Sequence, residues 1–493
     1  MPMPTSPLVR LGAFRDQLHA CFPRRADALM DLGDALLCAE TFPSLPHLSL
    51  EPAHRRGWGS TYAALASGRV QVERLRDLLA GCLPDADPLV FAVDVTTWPR
   101  CDAECSPERG YYYHPSRHSA GQPIIAGWAF QWIAQVSFDR DSWTAPVDTH
   151  RLHPLDDTDQ TAAVQIRALL GRLPSGGSVP LFVFDSGYDS AQLTLDLAEA
   201  PVAVLVRLRS DRCFYADPPP RASGSTGRPR RHGAKFAFAD PATWPVPTTT
   251  YVATDDQYGT VTVQAWAGLH PKQQRHPGHG TRGPRPIVRG TIIRVVVERV
   301  PARTRPPKVL WLWWSGPGPL DLDQAWRAYT RRFDLEHTVR FCKQTLGWTI
   351  PRPRHPEQAD RWTWLVLAGY TQLRLAREVV ADRRLPWERP RPQLRLSPYR
   401  CAAGFRGCCV RSARRRRRRN PSDAPQAGPR AATRDPRRAT RRSRSPPRSP
   451  GRRRPRPRRP PDQPSPPSTS TDLGRRPAHR AQRVKSQAKS LRQ

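Results

Sequence analysis

Apolar residues recur every three or four positions through the first part of the chain. In "FRDQLHACF", "ADALMDLGDALLCAE" and "TYAALASGRVQVERLRDLLAGCL", between residues 10 and 83, that spacing predicts helices. Proline-rich breaks at 43–53 and 84–88 separate and end them. The texture then changes to short apolar runs, which predict strands at 88–95, 127–138 and 142–150. A helix capped by Asp or Thr is expected over 157–173, then a strand at 179–186, a helix at 189–200 and a strand at 201–209. Strands followed by helix–strand alternation predict an α/β fold, a mixed sheet with flanking helices. From 210 to 290 the pattern loosens into basic loops around the strand-like "TVTVQAWAG" (260–268). Strands resume at 290–300 and 308–314, and helices are expected over 321–346 and 357–382.

These changes divide the chain into five parts: an N-terminal helical domain (1–86), a first part of the α/β domain (87–209), a β-rich insertion with basic loops (210–290), a second α/β part (291–390) and a tail (391–493). At 493 residues, several domains are expected. From Cys401 onward there are 15 prolines and a single aromatic, Phe405, so the tail is expected to be disordered.

Charge sharpens this picture. The net charge is +36, and the segment from Cys401 to Gln493 carries 29 Arg and Lys against 4 Asp. A basic body with a polycationic tail points to a polyanionic partner, nucleic acid ahead of a membrane surface. No apolar run is long enough to span a bilayer, and the N-terminus lacks the apolar run of a secretion signal. Ten irregularly placed cysteines do not resemble a disulfide framework. The expectation is a bacterial cytoplasmic protein associated with the nucleoid. The abrupt change of composition after "LRLSPYR" has two readings: added non-specific DNA affinity, or a frameshifted terminus beginning near Arg400.

Candidate chemistry concentrates in three places. "FAVDV" and "LFVFD" end apolar runs on Asp94 and Asp185. "YTRRFDLEHTVRFCKQTLGW" (329–348) has helical spacing, which sets Tyr329, Arg332, Glu336 and Lys343 within an arc of about 60° beside an apolar stripe of Leu335, Val339, Cys342 and Leu346. Taken alone, that polar arc could be a solvated face tied by Arg332–Glu336 and Glu336–Arg340 pairs. Two strand-borne Asp and a helix-borne Glu converging on a sheet edge would make a hard oxygen site for Mg²⁺ or Mn²⁺.

Tyr329, two residues, Arg332, three, Glu336, six, Lys343: this spacing resembles the Y-(2)-R-(3)-E-(6)-K signature of one branch of the DDE transposases of bacterial insertion sequences. The resemblance covers about residues 10 to 390 and includes the D-S-G turn at Asp185–Gly187. It implies a ribonuclease H-like domain interrupted by a β-rich insertion, with residues 1–86 binding DNA. It implies that Asp94, Asp185 and Glu336 hold two Mg²⁺ ions (Mn²⁺ as a substitute), cut the phosphodiester at element ends and join the freed 3′-hydroxyl to target DNA. Arg332, Lys343 and Arg340 would contact phosphates, Tyr329 would donate a hydrogen bond, and Phe333 would act as a wedge. Trp311, Trp313 or Trp314 would stack a flipped base. Double-stranded DNA, as terminal inverted repeats and target, and a homodimer on paired ends are the implied partners. Two alternatives stay open: a non-catalytic or domesticated DNA-binding relative, and a ribonuclease H-like nuclease without transposition. Cys101, Cys105, His114 and His118 are a further candidate set, for zinc or, with Arg100, Arg109 and Arg117, for a basic loop facing DNA.

Overall fold

A computed structural model describes residues 6–113, 123–139, 141–174, 176–221, 223, 226–272, 286–300, 309–384, 387–388 and 396–406. Its centre is a twelve-stranded mixed sheet. β1 (Val90–Pro99), β5 (Leu181–Phe184) and β6 (Ala203–Leu208) run parallel, and β3 (Ile124–Val136) and β4 (Thr144–Leu152) extend them antiparallel on one side. The parallel strands are covered on both faces, which is why "VFAV" and "LFVF" read as unbroken apolar runs.

Alternation along each strand sorts side chains between two cores. Val90, Ala92, Leu181, Val183, Ala203 and Leu205 face one core. Phe91, Val93, Phe182, Phe184, Val204 and Val206 face the other, against α5 (Thr158–Leu170) and α6 (Ser190–Asp196). Both helices begin as their sequences suggest. Asp157 accepts from the backbone N–H groups of Asp159 and Gln160, and Asp189 does the same for Ala191 and Gln192.

The first core does not stop at residue 86. The N-terminal helices α1 (Pro7–Ala20), α2 (Ala26–Cys38), α3 (Gly59–Ser67) and α4 (Val72–Ala80) bury Phe14, Leu29, Leu36, Leu65 and Leu75 in the same cluster as the sheet and α9 (Pro356–Ala376). α9 is buried all round from Trp362 to Leu373, as a helix wrapped by neighbours is. The change of texture near 86 therefore marks a switch from helix to strand within one packed body.

The expected insertion is likewise joined to the sheet. β10 (Gly259–Pro271) pairs with β11 (Gly290–Val297), β11 with β12 (Val309–Ser315), and β12 with β6. Trp311 stacks on Phe238 with ring centres 4.1 Å apart, among Phe236, Trp244 and Trp266, and Trp313 stacks on Phe214. Both indoles are buried, so Trp311 and Trp313 are core residues rather than the open stacking platform expected of them; Trp314 is half-buried against the first core.

Folded chain also continues past the point where the tail was expected to begin. Residues 398–406 are helical, Cys401 and Ala402 are buried, Trp143 Nε1 donates to the Leu396 carbonyl and Cys401 Sγ donates to that of Leu373. Small residues pack here where composition alone suggested none. The rest of the tail lies outside the described residues. No helix among the described residues is long and apolar enough to cross a membrane.

Candidate active site

The parallel ladder pairs Val93 with Phe184 and Phe184 with Val206, so the next residues, Asp94, Asp185 and Arg207, form a row across three strands. By alternation they share the face of Val90, Val183 and Leu205, which is the face carrying the helix of Glu336. Asp94 is not at the end of its strand as the sequence suggested. β1 continues to Pro99 by pairing with β3, and it is the pairing with β5 that stops before Asp94.

The helix expected over 321–346 is two helices, α7 (Leu322–Arg331) and α8 (Phe333–Gln344), that meet at Arg332. Asp321 caps the first through the N–H groups of Asp323 and Gln324. At the junction the Arg332 N–H is shared between the carbonyls of Ala328 and Tyr329, and the Leu335 N–H donates to Arg332. α8 ends at Gln344, the chain turns at Gly347, whose φ of 58° is left-handed, and Trp348 then inserts among Trp98, Phe130 and Trp132. The predicted stripe of Leu335, Val339, Cys342 and Leu346 is buried.

Arg332 holds the centre of this face. Its side chain is only 2% exposed, one guanidinium nitrogen donates to Glu336 Oε1 at 2.7 Å, and another lies 3.5 Å from Asp94 Oδ2. The same guanidinium lies 4.9 Å from the Phe333 ring centre and 5.7 Å from that of Tyr329. Arg207 stands 3.8 Å from Asp185 Oδ1. Lys343 Nζ lies over Trp348, 5.6 Å from the ring centre.

The electrostatics follow from burial and crowding. Burial pushes the Asp94 carboxyl up to about 7; Arg332 opposes this, and Asp185 and Glu336 add to it. Burial lowers Lys343 to about 8 against the pull of Asp94. Burial also works against the Arg332 charge, but Asp94, Tyr329, Asp185 and Glu336 more than offset it. Tyr329 is buried and its hydroxyl is pushed up, chiefly by that burial.

The sequence-predicted residues thus divide. Asp94, Asp185 and Glu336 come to one face and act on one another electrostatically. Tyr329 and Arg332, expected at DNA phosphates, are instead turned inward, because Arg332 is the nearest counter-charge for two acids. Phe333, Glu336 and Arg340 are exposed, and Lys343 is half-buried. Sequence reasoning missed Arg207 and Tyr188. Arg207 breaks an otherwise apolar strand, "VAVLVRL", at the register of Asp185, a signal the sequence did carry. Tyr188 is buried, and the negative charge of Asp94, Asp159 and Asp185 adds to the rise of its hydroxyl caused mainly by that burial.

A divalent cation fits this donor set in chemistry, though the acids do not enclose an ion as they stand. Among the described residues no three Asp, Glu, His or Cys side chains stand at metal-ligand spacing, and the Arg332 guanidinium bridges two of the acids instead. Asp185 Oδ1 is buried and accepts no hydrogen bond. A hard carboxylate oxygen without a hydrogen-bond donor suits Mg²⁺ or Mn²⁺.

The other candidate set is only half visible: His114, Arg117 and His118 lie outside the described residues. Cys101 Sγ donates to the Ala126 carbonyl, and buried Arg100 donates to the Pro353 carbonyl and stacks on Trp128. Arg109 donates to the carbonyls of Arg100 and Glu104. Arg100 therefore ties this loop to the segment at Pro353 and Arg109 ties the loop to itself, rather than offering a basic face.

These features define a carboxylate site on one face of a mixed α/β sheet. The chain belongs to the DDE superfamily endonucleases, whose family model matches residues 17–272, more than half of its length. The matched span contains Asp94 and Asp185 and stops short of Glu336. Among solved structures the chain is similar to the piggyBac transposase in its synaptic complex with hairpin DNA, at 12% identity over 81% of this chain and 74% of that one, with a TM-score of 0.39. No curated protein matches.

Proposed function

We propose that this chain is a DNA transposase of the insertion-sequence type, built on a ribonuclease H-like domain, that cuts double-stranded DNA at element ends and joins them to a target. The observation that supports this most is the register that sets Asp94 beside Asp185 on the face where α8 carries Glu336. Membership of the DDE superfamily endonucleases and the strongly basic chain agree with a phosphodiester substrate.

Asp94, Asp185 and Glu336 would hold Mg²⁺, with Mn²⁺ as a substitute. When bound, the divalent ion polarises the scissile phosphate and its attacking water. Arg332 stands in as counter-charge to Asp94 and Glu336 when no ion is present, and its release from them would free both acids and give a phosphate a guanidinium partner. Arg207 and Lys343 supply positive charge on either side of the acid row, where the two phosphates flanking a cut would lie. Water breaks one P–O bond, leaving a 3′-hydroxyl that attacks a target phosphodiester and releases a second 3′-hydroxyl. No covalent enzyme intermediate is required. Residues 1–86 would contribute to holding the DNA, two copies would pair two ends, and the bacterial nucleoid is the expected location.

The test is a Mg²⁺-dependent cleavage assay on duplex DNA carrying the element's terminal inverted repeats. Wild type is expected to cut at the ends and Asp185→Ala not to. Specific binding without cutting would replace this reading with a non-catalytic DNA-binding relative. Cutting without regard to end sequence would replace it with a general nuclease.

A further inference from the structure

The segment "HRRGWGSTY" (54–62) is built unlike an ordinary surface loop. Asp31, on α2, is buried with its side chain 2% exposed, yet it partners two consecutive arginines that face solvent. Arg55 donates to Asp31 Oδ1 through two nitrogens at 3.0 and 2.9 Å, and Arg56 donates to Oδ2 at 3.0 Å. Arg55 is nevertheless 70% exposed. Two residues on, Trp58 leaves its indole 67% exposed.

The backbone that presents these groups is locked. Buried His54 sets Nδ1 2.7 Å from the Arg56 carbonyl oxygen, Ser60 Oγ donates to the Gly57 carbonyl, and Thr61 Oγ1 donates to that of Trp58. Arg56 also reaches Asp27, in the first turn of α2. Just before that helix, Arg24 bridges to Arg69, and both are exposed, as is Arg25. Two arginines, Arg55 and Arg56, therefore gather around two carboxylates, one of them buried.

Long side chains on a free surface sample many rotamers, and ordering them against a partner costs free energy. Here a buried acid has already ordered two guanidiniums, and their remaining N–H groups face outward. Such groups suit anionic oxygens, and a rigid exposed indole beside them suits the sugar and base edges between two phosphates. An acidic peptide would satisfy the charges but offers no regular row of anions.

We propose that Arg55, Arg56 and Trp58 form a docking surface for the backbone of duplex DNA, separate from the Asp94, Asp185 and Glu336 face. This rests on the proposed DNA substrate and assigns part of its grip to a named surface.

The test uses the full chain in EDTA, so that no cutting occurs, with a fluorescent 40-base-pair duplex titrated by anisotropy at several salt concentrations. Arg55→Ala/Arg56→Ala is expected to lower the slope of log affinity against log salt by about 1.8, the loss of two phosphate contacts. Because that change leaves Asp31 buried without its partners, Trp58→Ala is the second variant. Its indole is exposed, so folding should persist, and duplex affinity is expected to fall measurably. Wild-type binding and salt slope in both folded variants would overturn the inference. So would an unchanged duplex affinity with a lost affinity for polyglutamate, which would make the surface a peptide site. If wild type itself does not bind duplex DNA, the parent reading fails rather than this surface alone.

Discussion

Around Arg332 the guanidinium is buried, with half-buried Asp94 and exposed Glu336 as its partners; around Asp31 the carboxylate is buried and its guanidinium partners reach the surface. Both assemblies pair one hidden charge with two more open ones of opposite sign. What differs is the sign left facing outward. The first presents acids, Asp94 and Glu336, which a divalent cation could take over. The second presents arginines, which an anionic polymer could take over. A buried charge is costly unless its partners stay fixed, so each hidden residue also orders the surface charges that it holds.

The contrast breaks most visibly by removing the hidden cation. Arg332→Met should destabilise the ion-free chain by about 2–4 kcal/mol, because Asp94 and Glu336 lose their counter-charge. Added Mg²⁺ should restore more stability to this variant than it adds to wild type. Urea denaturation in EDTA and in Mg²⁺ measures both; an ion-free stability equal to wild type would show that Arg332 is not the counter-charge.

Next in size is the pH dependence. Burial pushes the Asp94 carboxyl in the folded chain up to about 7 from the ordinary 3.8, so the folded state binds the extra proton between those values. That contribution to stability is fully present below about pH 4 and is lost as pH rises through 7. The ion-free chain should therefore lose up to about 1.4 kcal/mol per pH unit in this window. Asp94→Asn should flatten the slope, as seen in denaturation curves collected between pH 4 and 8.

Removing the hidden anion should cost less. Asp31→Asn leaves two exposed arginines that water can solvate, so a loss of about 1–2 kcal/mol is expected, and it should not change with Mg²⁺. A Mg²⁺-dependent loss would mean that the two assemblies are coupled. The smallest effect should come from Glu336→Gln. Glu336 is 43% exposed, and its helical pair with Arg332 should contribute only about 0.5 kcal/mol or less to stability.

Most of the sheet could be read from the chain because its parallel centre requires apolar runs, and the runs at 88–95, 179–186 and 201–209 each became a strand. The two aspartates were legible because each interrupts such a run. What they face was not legible, since facing depends on register: nothing local to Arg207 says that it will stand beside Asp185. By spacing alone the arc of Tyr329, Arg332, Glu336 and Lys343 reads as compatible with a solvated face. Periodicity gives angles about an axis, however, and cannot tell that Arg332 will turn onto an acid from a strand more than 200 residues earlier. The apparent boundary at residue 86 misled for a related reason. Local pattern reports a change from helix to strand, whereas a shared core depends on long-range packing such as that of α1, α2 and α3 on α9.

The claim beneath the proposed activity is that Asp94, Asp185 and Glu336 jointly hold a divalent ion. Mn²⁺ binding to the full chain, followed by the loss of the free-ion electron paramagnetic resonance signal, tests it without any DNA. Wild type should bind, and Asp94→Asn, Asp185→Asn and Glu336→Gln should each weaken binding by at least about tenfold. Equal Mn²⁺ binding by wild type and all three variants would contradict it.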